Sequence, residues 1–458
     1  MGTGFGTSGI DWSTLANNLA GGSTTSGFDV STIVNEVLQA QSEEETPWQT
    51  QETTLSNQTT ALQQLSGQLN TLLNDANALS DPLGSFDAMT TSVSDPEALS
   101  ATAAAGASIG SHSISVSALA STSSYYSNEL ASSSTTFGTG TITLQVGSGT
   151  AATITVDSTD NTLSGLAAAI NSQNLGITAN VITDAGGARL TLVSNSSGAA
   201  GNITLSTNTT GLTFNLGSQG TDASLTVDGV PIDSSSNTVT TAVPGVTLNL
   251  LGLTSTPVAL QVGSDTSQAA AAINQFVSDY NTIISSLNSQ FTYDASTGAS
   301  GTLMGDSAAE IVQSALLGDM ATTVASNGAI SSLGSLGISM NDDGTLTVDN
   351  SQLTSALQGN FQAVQNFFQN TSTGFAQKLS SDLTNLTDPT KSPIAIDLSG
   401  INSSISSLQS EISDFQANLD SQRQTLTTYY SSINSTLQEL PILLNSINSQ
   451  LGSLKTSS

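Results

Sequence analysis

Gly106-Ala107-Ser108-Ile109-Gly110 matches the G-x-S-x-G pattern that lifts a nucleophilic serine onto a sharp strand-to-helix turn, and His112 follows two residues on. A serine hydrolase brings its imidazole from a distant loop, beyond an acidic partner, so His112 is badly placed for that chemistry. The chain is also so rich in Gly, Ala and Ser that the pattern arises by chance. Asn341-Asp342-Asp343-Gly344, with Asp349 downstream, is close to part of a calcium loop. Such a loop wants oxygen ligands at alternate positions and a closing Glu, whereas Ser339 and Asn350 stand at those ends. A hairpin turn is the better reading. Lys378, Lys391 and Lys455 lie far from any glycine-rich loop, and no Walker or dinucleotide pattern occurs. Glu43-Glu44-Glu45 before Pro47 suits the positive end of a helix dipole better than a metal. Tyr125-Tyr126 and Tyr429-Tyr430 each read as one ring facing a core. Sequons such as Asn57-Gln58-Thr59 carry little weight in so Ser/Thr-rich a chain. No catalytic constellation, cofactor site or metal site is expected, and the chain reads as non-enzymatic.

Composition supports that reading. The 458 residues carry Asp+Glu 35 against Lys+Arg 5, a net charge of −30, with only 9% charged residues. The acidity comes from missing cations. Phosphate-backbone binding needs several Lys or Arg per site, so no nucleic-acid partner is expected, and anionic membrane surfaces are disfavoured likewise. Cys 0 removes thiol nucleophiles, disulfides and thiolate metal sites, and His 1 removes multi-histidine sites. Met1 to Gly22 has no basic or apolar signal region, and no run is long enough to span a membrane. The reading is a protein without membrane insertion, either cytosolic or exported without a cleaved signal. Length predicts roughly three domains of about 150 residues.

The elements come from apolar periodicity. Trp48, Leu55, Leu62, Leu65, Leu69, Leu72, Ala76 and Leu79 keep 3/4 spacing, with Gln51 and Gln58 in the gaps, until Asp81-Pro82 ends the helix. Asp29 caps a shorter helix carrying Val30, Ile33, Val34, Val37 and Leu38, and Pro47 separates the two. The C-terminus repeats the pattern through Ile401, Ile405, Leu408, Ile412, Phe415, Leu419, Leu426, Tyr429, Ile433, Leu440, Leu444, Ile447, Leu451 and Leu454, with Leu437 beside the slot of Thr436. A stripe that long implies a supercoiled helix pack. Its flanks are Ser, Thr, Asn and Gln, which are mediocre helix formers, so these helices firm up only on packing. Pro441 is expected to bend or break the helix near Leu440. A third heptad runs from Ile273 to Phe291 behind Asp265, and a further helix begins at Asp306 with Ile311, Val312, Leu316 and Leu317.

The middle differs in kind. From Phe86 to Val262, short runs such as Ser113 to Val116, Thr141 to Val146, Thr153 to Val156, Arg189 to Val193 and Thr247 to Leu250 alternate and are parted by Gly/Asn/Asp clusters. They read as antiparallel sheet. One helix, Leu163 to Asn171, interrupts them, capped by Asp160 or Asn161. A hairpin at Ile338 to Val348 turns on Asp343-Gly344. The fold class is α+β multidomain, with β-rich domains inserted between terminal heptad helices whose two ends pack together.

In order along the chain, Ser26-Gly-Phe-Asp-Val-Ser-Thr-Ile-Val34, Phe86-Asp-Ala, Ala98-Leu-Ser-Ala-Thr-Ala103, Ser113-Ile-Ser-Val116, Leu225-Thr-Val-Asp-Gly229, Pro244-Gly-Val-Thr-Leu248, Phe276-Val-Ser-Asp-Tyr-Asn281, Leu303-Met-Gly-Asp306 and Asp343-Gly-Thr-Leu346 form a pattern. It resembles the flagellar hook-associated protein 2 family, the filament-capping proteins. Asp160 to Asn171 followed by Arg189 to Ser194 is similar to the Ile-Asn module shared by flagellin and hook proteins. Flagellin itself lacks the Val-Asp-Gly and Phe-Val…Tyr-Asn blocks.

The resemblance implies a coiled-coil or helical-bundle leg and an antiparallel β-rich head. Residues 1–47 would form an N-terminal extension and short helix at the leg end. The helical leg domain would comprise 48–83 with 265–440, and 441–458 its closing helix. The head would comprise 84–124 with 217–264, and 125–216 would be a second head domain inserted into it. Several copies would form a homo-oligomeric, pentamer-like ring at the filament tip, where exported flagellin is incorporated. Flagellin, an export chaperone and hook–filament junction proteins are the implied partners. Leu62, Leu65, Leu69, Leu408, Ile412, Phe415, Leu419, Leu426, Ile433 and Leu437 are the candidate self-assembly residues. Each could equally be an intramolecular core position, because heptads specify packing and not which chain supplies the partner. The rival reading is a surface adhesin whose β-rich head holds a host glycan or matrix polymer.

Overall fold

The computed structural model describes residues 29–325 and 327–455, with side chains to Leu451. The readings on Met1 to Gly22 and Ser26 to Phe28, the heptad position of Leu454, and 456–458 lie outside the described residues.

Helix α1, Val30–Ser42, starts where Asp29 Oδ1 accepts the Ser31 N–H at 2.9 Å. The hydroxyls of Ser31 and then Thr32 hold the Asp29 carboxyl down to about 2, so the cap stays charged. A 3₁₀ turn, Glu43–Glu45, leads into α2, Thr46–Ser80. The break is therefore that turn, and Pro47 stands in the first turn of α2, where its missing N–H costs nothing. Asp81 ends the helix as the sequence implies.

Fifteen strands follow up to Ser264: β1 Met89–Val93, β2 Leu99–Ala103, β3 Gly110–Ala118, β4 Thr122–Ser127, β5 Gly140–Val146, β6 Ala152–Val156, β7 Ile177–Thr183, β8 Ala188–Ser197, β9 Ile203–Asn208, β10 Phe214–Ser218, β11 Ala223–Val227, β12 Val230–Ser234, β13 Thr238–Val243, β14 Val246–Leu250 and β15 Val258–Ser264. One sheet has the order β1-β15-β3-β11-β12, and the three strands β13-β14-β2 close over it. Leu99, Ile114, Val116, Leu225, Leu248 and Leu260 fill the space between. A second unit pairs β10-β4-β8-β7 and β6-β5-β9 around Ile142, Leu144, Leu190, Leu192 and helix α3, Leu163–Ser172. All these pairings are antiparallel, and β8 alternates buried and half-buried residues along most of its length. The chain crosses between units at the Ser121–Thr221 bridge. Strand β4 starts at Thr122 and β10 ends at Ser218, so pairing reaches a few residues beyond 125–216 at each end.

The α3 cap is neither Asp160 nor Asn161. Thr162 Oγ1 accepts the Gly165 N–H at 3.0 Å, while Asp160 Oδ1 takes the Asp157 N–H and the Asn161 amide donates to the Phe137 carbonyl. All three residues can cap, and local turn bonds engage the first two.

The helical body contains α2, α4 (Thr266–Gln290), α5 (Ser307–Met320), α6 (Asn350–Gln369), α7 (Phe375–Thr387) and the start of α8 (Pro393–Lys455). Two small hairpins, β16–β17 (Tyr293–Asp294, Ala299–Ser300) and β18–β19 (Ile338–Met340, Leu346–Val348), connect them. Asp265 and Asp306 cap α4 and α5 as their positions imply. Asp343-Gly344 turns β18 into β19 with Gly344 at φ 81°, and Asp343 Oδ1 accepts the Thr345 N–H at 3.0 Å. That carboxylate therefore serves the turn. Pro441 lies inside α8, which stays helical past it, so residue 440 is not an element boundary. A solvent-facing helix can hydrate the carbonyl that a proline leaves unpaired, so the sequence need not terminate there.

Tyr280 shows how tightly the body is specified. Its ring is fully buried and its hydroxyl donates to the Gly344 carbonyl at 3.0 Å. Tyr280→Phe keeps the ring but strands that buried carbonyl, so we expect a loss of about 1–3 kcal/mol in urea unfolding. An unchanged midpoint would mean water replaces the hydroxyl.

Candidate assembly surface

The heptad residues of α2 do not form a surface. Leu62, Leu65 and Leu69 are buried in one core with Phe276, Ile283 and Leu383. Helix α8 enters the same core through Ile394 and Ile401, and Leu408 is also buried. Beyond Leu408 the character of α8 changes.

From there α8 runs antiparallel beside α2 and α1. Gln409 Nε2 donates to Glu52 Oε1 at 2.7 Å, and Gln416 Nε2 donates to Glu45 Oε1 at 2.7 Å. Glu45 is almost fully buried and also accepts from Gln49 at 2.6 Å. Trp48 meets Phe415 edge-to-face with ring centroids 5.3 Å apart. Ile33, Val34 and Leu38 of α1 are buried, while Ile412, Phe415, Leu419, Leu426 and Ile433 are half-buried. Uncharged amides thus set the register where Lys/Glu pairs would otherwise do so.

Past Ile433 the stripe opens. Leu437, Leu440, Ile442, Leu443, Leu444, Ile447 and Leu451 are between 45% and 70% exposed. A contiguous exposed apolar run on a helix is a candidate contact surface. Of the candidate self-assembly residues, Leu62, Leu65, Leu69 and Leu408 lie in packed interior, five are half-covered, and Leu437 is exposed. The exposed residues beyond Leu437 were outside that set, although the run Leu440-Pro-Ile-Leu-Leu444 is apolar all round and signals them.

The residues with possible chemistry are used structurally. His112 Nδ1 lies 2.8 Å from Asp228 Oδ2, and Asp228 Oδ1 accepts the Ser113 N–H at 2.8 Å. That N–H and then the imidazole hold the Asp228 carboxyl below its usual range. The pair ties the β11–β12 turn to β3, and Ser108 makes no hydrogen bond among the described residues. Tyr125 packs against the inserted core and Tyr126 is exposed, while Tyr429 is exposed beside half-buried Tyr430. Among the described residues no cluster of three or more acids or His could hold a metal, and no helix is long and apolar enough to cross a membrane.

Comparison with known proteins gives a consistent picture. The family model for the N-terminus of flagellar hook-associated protein 2 matches residues 26–123, and that for its C-terminus matches 220–441, together well over half of the chain. The flagellin hook IN motif matches 141–196, in the inserted unit. The B-type flagellar hook-associated protein 2 of Pseudomonas aeruginosa PAO1 is 28% identical over 335 residues, covering 66% of this chain and 70% of the relative. The A-type protein of Pseudomonas aeruginosa is 27% identical over 406 residues, covering 80% and 84%. The crystal structure of the flagellar cap protein FliD D1-D2-D3 domains from Escherichia coli superposes with a TM-score of 0.59 at 29% identity, covering 75% of this chain and 99% of that one.

Proposed function

Given that the chain belongs to the flagellar hook-associated protein 2 family and is a cap protein of the flagellar filament, we propose that it works as a homo-oligomeric ring held at the filament tip by its α8 leg. The cap acts outside the cell, at the tip where flagellin is added. In our reading, copies of the chain and incoming flagellin meet along the apolar stripe of α8. The half-covered residues from Ile412 to Ile433 and the open ones from Leu437 onward form one continuous contact. Leu62, Leu65, Leu69 and Leu408 pack the interior of the helical leg, from which the end of α8 runs on. The leg would comprise 48–83 with 265–440 and the end of α8, and the head 84–124 with 217–264 would carry 125–216 as an insert. An export chaperone and contact with hook–filament junction proteins belong to the same reading.

The observation that carries it is the stripe itself. It continues the heptads that α1 and α2 cover, and its apolar residues Leu437, Leu440, Leu444, Ile447 and Leu451 are about half exposed. An open helix with Ser, Thr, Asn and Gln flanks is marginal alone and firms up against a partner. The test is a strain lacking the gene, with flagellin divided between attached filament and culture medium. We expect filaments to vanish and monomeric flagellin to accumulate in the medium, with recovery on complementation. Normal filaments in that strain would overturn the proposal.

A further inference from the structure

Three pairs of carboxyl groups meet at helix junctions of the body, in a chain that has few cations to offset them. Asp75 of α2 faces Asp279 of α4, Asp319 of α5 faces Asp382 of α7, and Asp397 of α8 faces the α5 cap Asp306. Asp75 Oδ2 and Asp319 Oδ2 are buried with no hydrogen-bond donor supplied to them. Two carboxylates that face each other where water is partly excluded cannot both stay ionised cheaply, and in the Asp75 and Asp319 pairs one shared proton supplies the missing donor. In two of the pairs the other acid is already engaged. Asp279 Oδ2 accepts from Gln275 at 2.8 Å, and Asp306 Oδ1 accepts the Ala309 N–H at 2.9 Å.

We propose that these contacts are proton-sharing clasps that tighten the helical body in mild acid and strain it above neutral pH. The inference does not depend on the cap reading. Few other charges act on the clasps. Asp319 has Lys378 Nζ at 3.7 Å, which opposes protonation, and its charge reaches Tyr280, whose phenol is raised first by burial. Asp75 and Asp397 answer only to Asp279 and Asp306. Helix α6 carries no titratable side chain, and Glu310 of α5 and Glu411 and Asp414 of α8 act on none of the pairs. Burial, reinforced by the facing acid, pushes Asp75 and Asp319 up to about 7 and Asp397 up to about 6.

The sign follows from linkage. A carboxyl raised in the folded state binds its proton there before the unfolded chain does. The stability it contributes is present below the ordinary value of 3.8 and is lost as pH rises through about 6 to 7. The cap and turn acids work the other way. Asp29, the α1 cap, and Asp294, in the β16–β17 turn, are held down to about 2 by neighbouring hydroxyls and lose their contribution as pH falls from 3.8 towards 2. The two effects balance at about pH 4, where the body is firmest, and the clasps weaken steadily from there towards pH 7.

The test compares the full chain with Asp75→Asn, Asp319→Asn and Asp397→Asn combined, each amide mimicking a neutral acid. The natural chain should melt several degrees higher at pH 5 than at pH 8. The variant should melt alike at both and above the natural chain at pH 8. A flat profile in the natural chain, or an equal slope in the variant, would overturn the proposal. Hydrogen exchange on the natural chain decides the matter even if the variant fails to fold. Amides of α2 and α4 around Asp75 and Asp279 should be about tenfold better protected at pH 5 than at pH 8 for each pKa unit of effect, after correction for intrinsic exchange. Strands β3 and β14 of the head should not change, and a uniform change across head and body would refute the clasps.

Discussion

Replacing Leu440, Leu444 and Ile447 with Glu should abolish filament growth as completely as losing the gene, while leaving the isolated chain as stable as before. These side chains are among the 45–70% exposed residues of α8, so they contribute little to the monomer. Burying each against a partner gains about 1.5–3 kcal/mol, and an interface that must instead bury a carboxylate loses far more. Three such changes exceed what a reversible contact can absorb, since every 1.4 kcal/mol is tenfold in affinity. The readout is flagellin in the medium together with the melting temperature of the purified protein. Glu at Ser435 and Ser449, on the opposite side of the helix by its turn of 3.6 residues, is the control and should leave filaments intact. Filaments that survive the triple substitution would remove the stripe from the assembly surface. Loss in both variants would mean that added charge on the leg, and not the stripe, is what matters.

Much of this architecture is legible in the sequence because two signals are local. The 3/4 spacing from Leu62 to Leu79 and from Ile273 to Leu287 fixes a helix face without knowledge of its partner, and those positions are buried. Asp29, Asp265 and Asp306 announce helix starts because a short acid before an apolar run has few other uses. Helices α6 and α7 carry no such signal, for a physical reason. The stretch has no regular heptad, and Gly359-Asn360 interrupts it, with Asn360 at φ −141° inside α6. The clasps were illegible because Asp75 and Asp279 become neighbours only when α2 and α4 pack. The division of one heptad stripe into interior and open surface was illegible too. Leu408, between Ser407 and Gln409, and Leu437, between Thr436 and Gln438, look alike in sequence, and only what packs against each decides that the first is buried and the second 47% exposed.

The interior half of that stripe rests on an aromatic cluster, and Phe375→Ala should be the most damaging single change in the body. Phe375 stacks on Phe367 with centroids 5.5 Å apart and 11° between planes, and it meets Phe276 at 5.8 Å and Phe368 at 5.9 Å edge-on. All four rings are fully buried. Removing a buried phenyl costs about 3–5 kcal/mol in lost transfer and cavity energy. Ring–ring geometry adds about 0.5–1.5 kcal/mol per pair. Against a domain stability of about 5–15 kcal/mol, one substitution removes a third or more. The head has its own cores, so unfolding should separate into two steps, with only the helical transition in far-UV circular dichroism moving to lower urea. Phe375→Leu should recover much of the loss. Helix α8 enters this body at Ile394 and Ile401, so the Ala variant should also let Trp48 swing away from Phe415 and change its fluorescence at urea concentrations where the head is intact. A midpoint within 0.5 kcal/mol of the parent, the range of an ordinary surface change, would mean that the aromatic cluster adds little to the stability of the body.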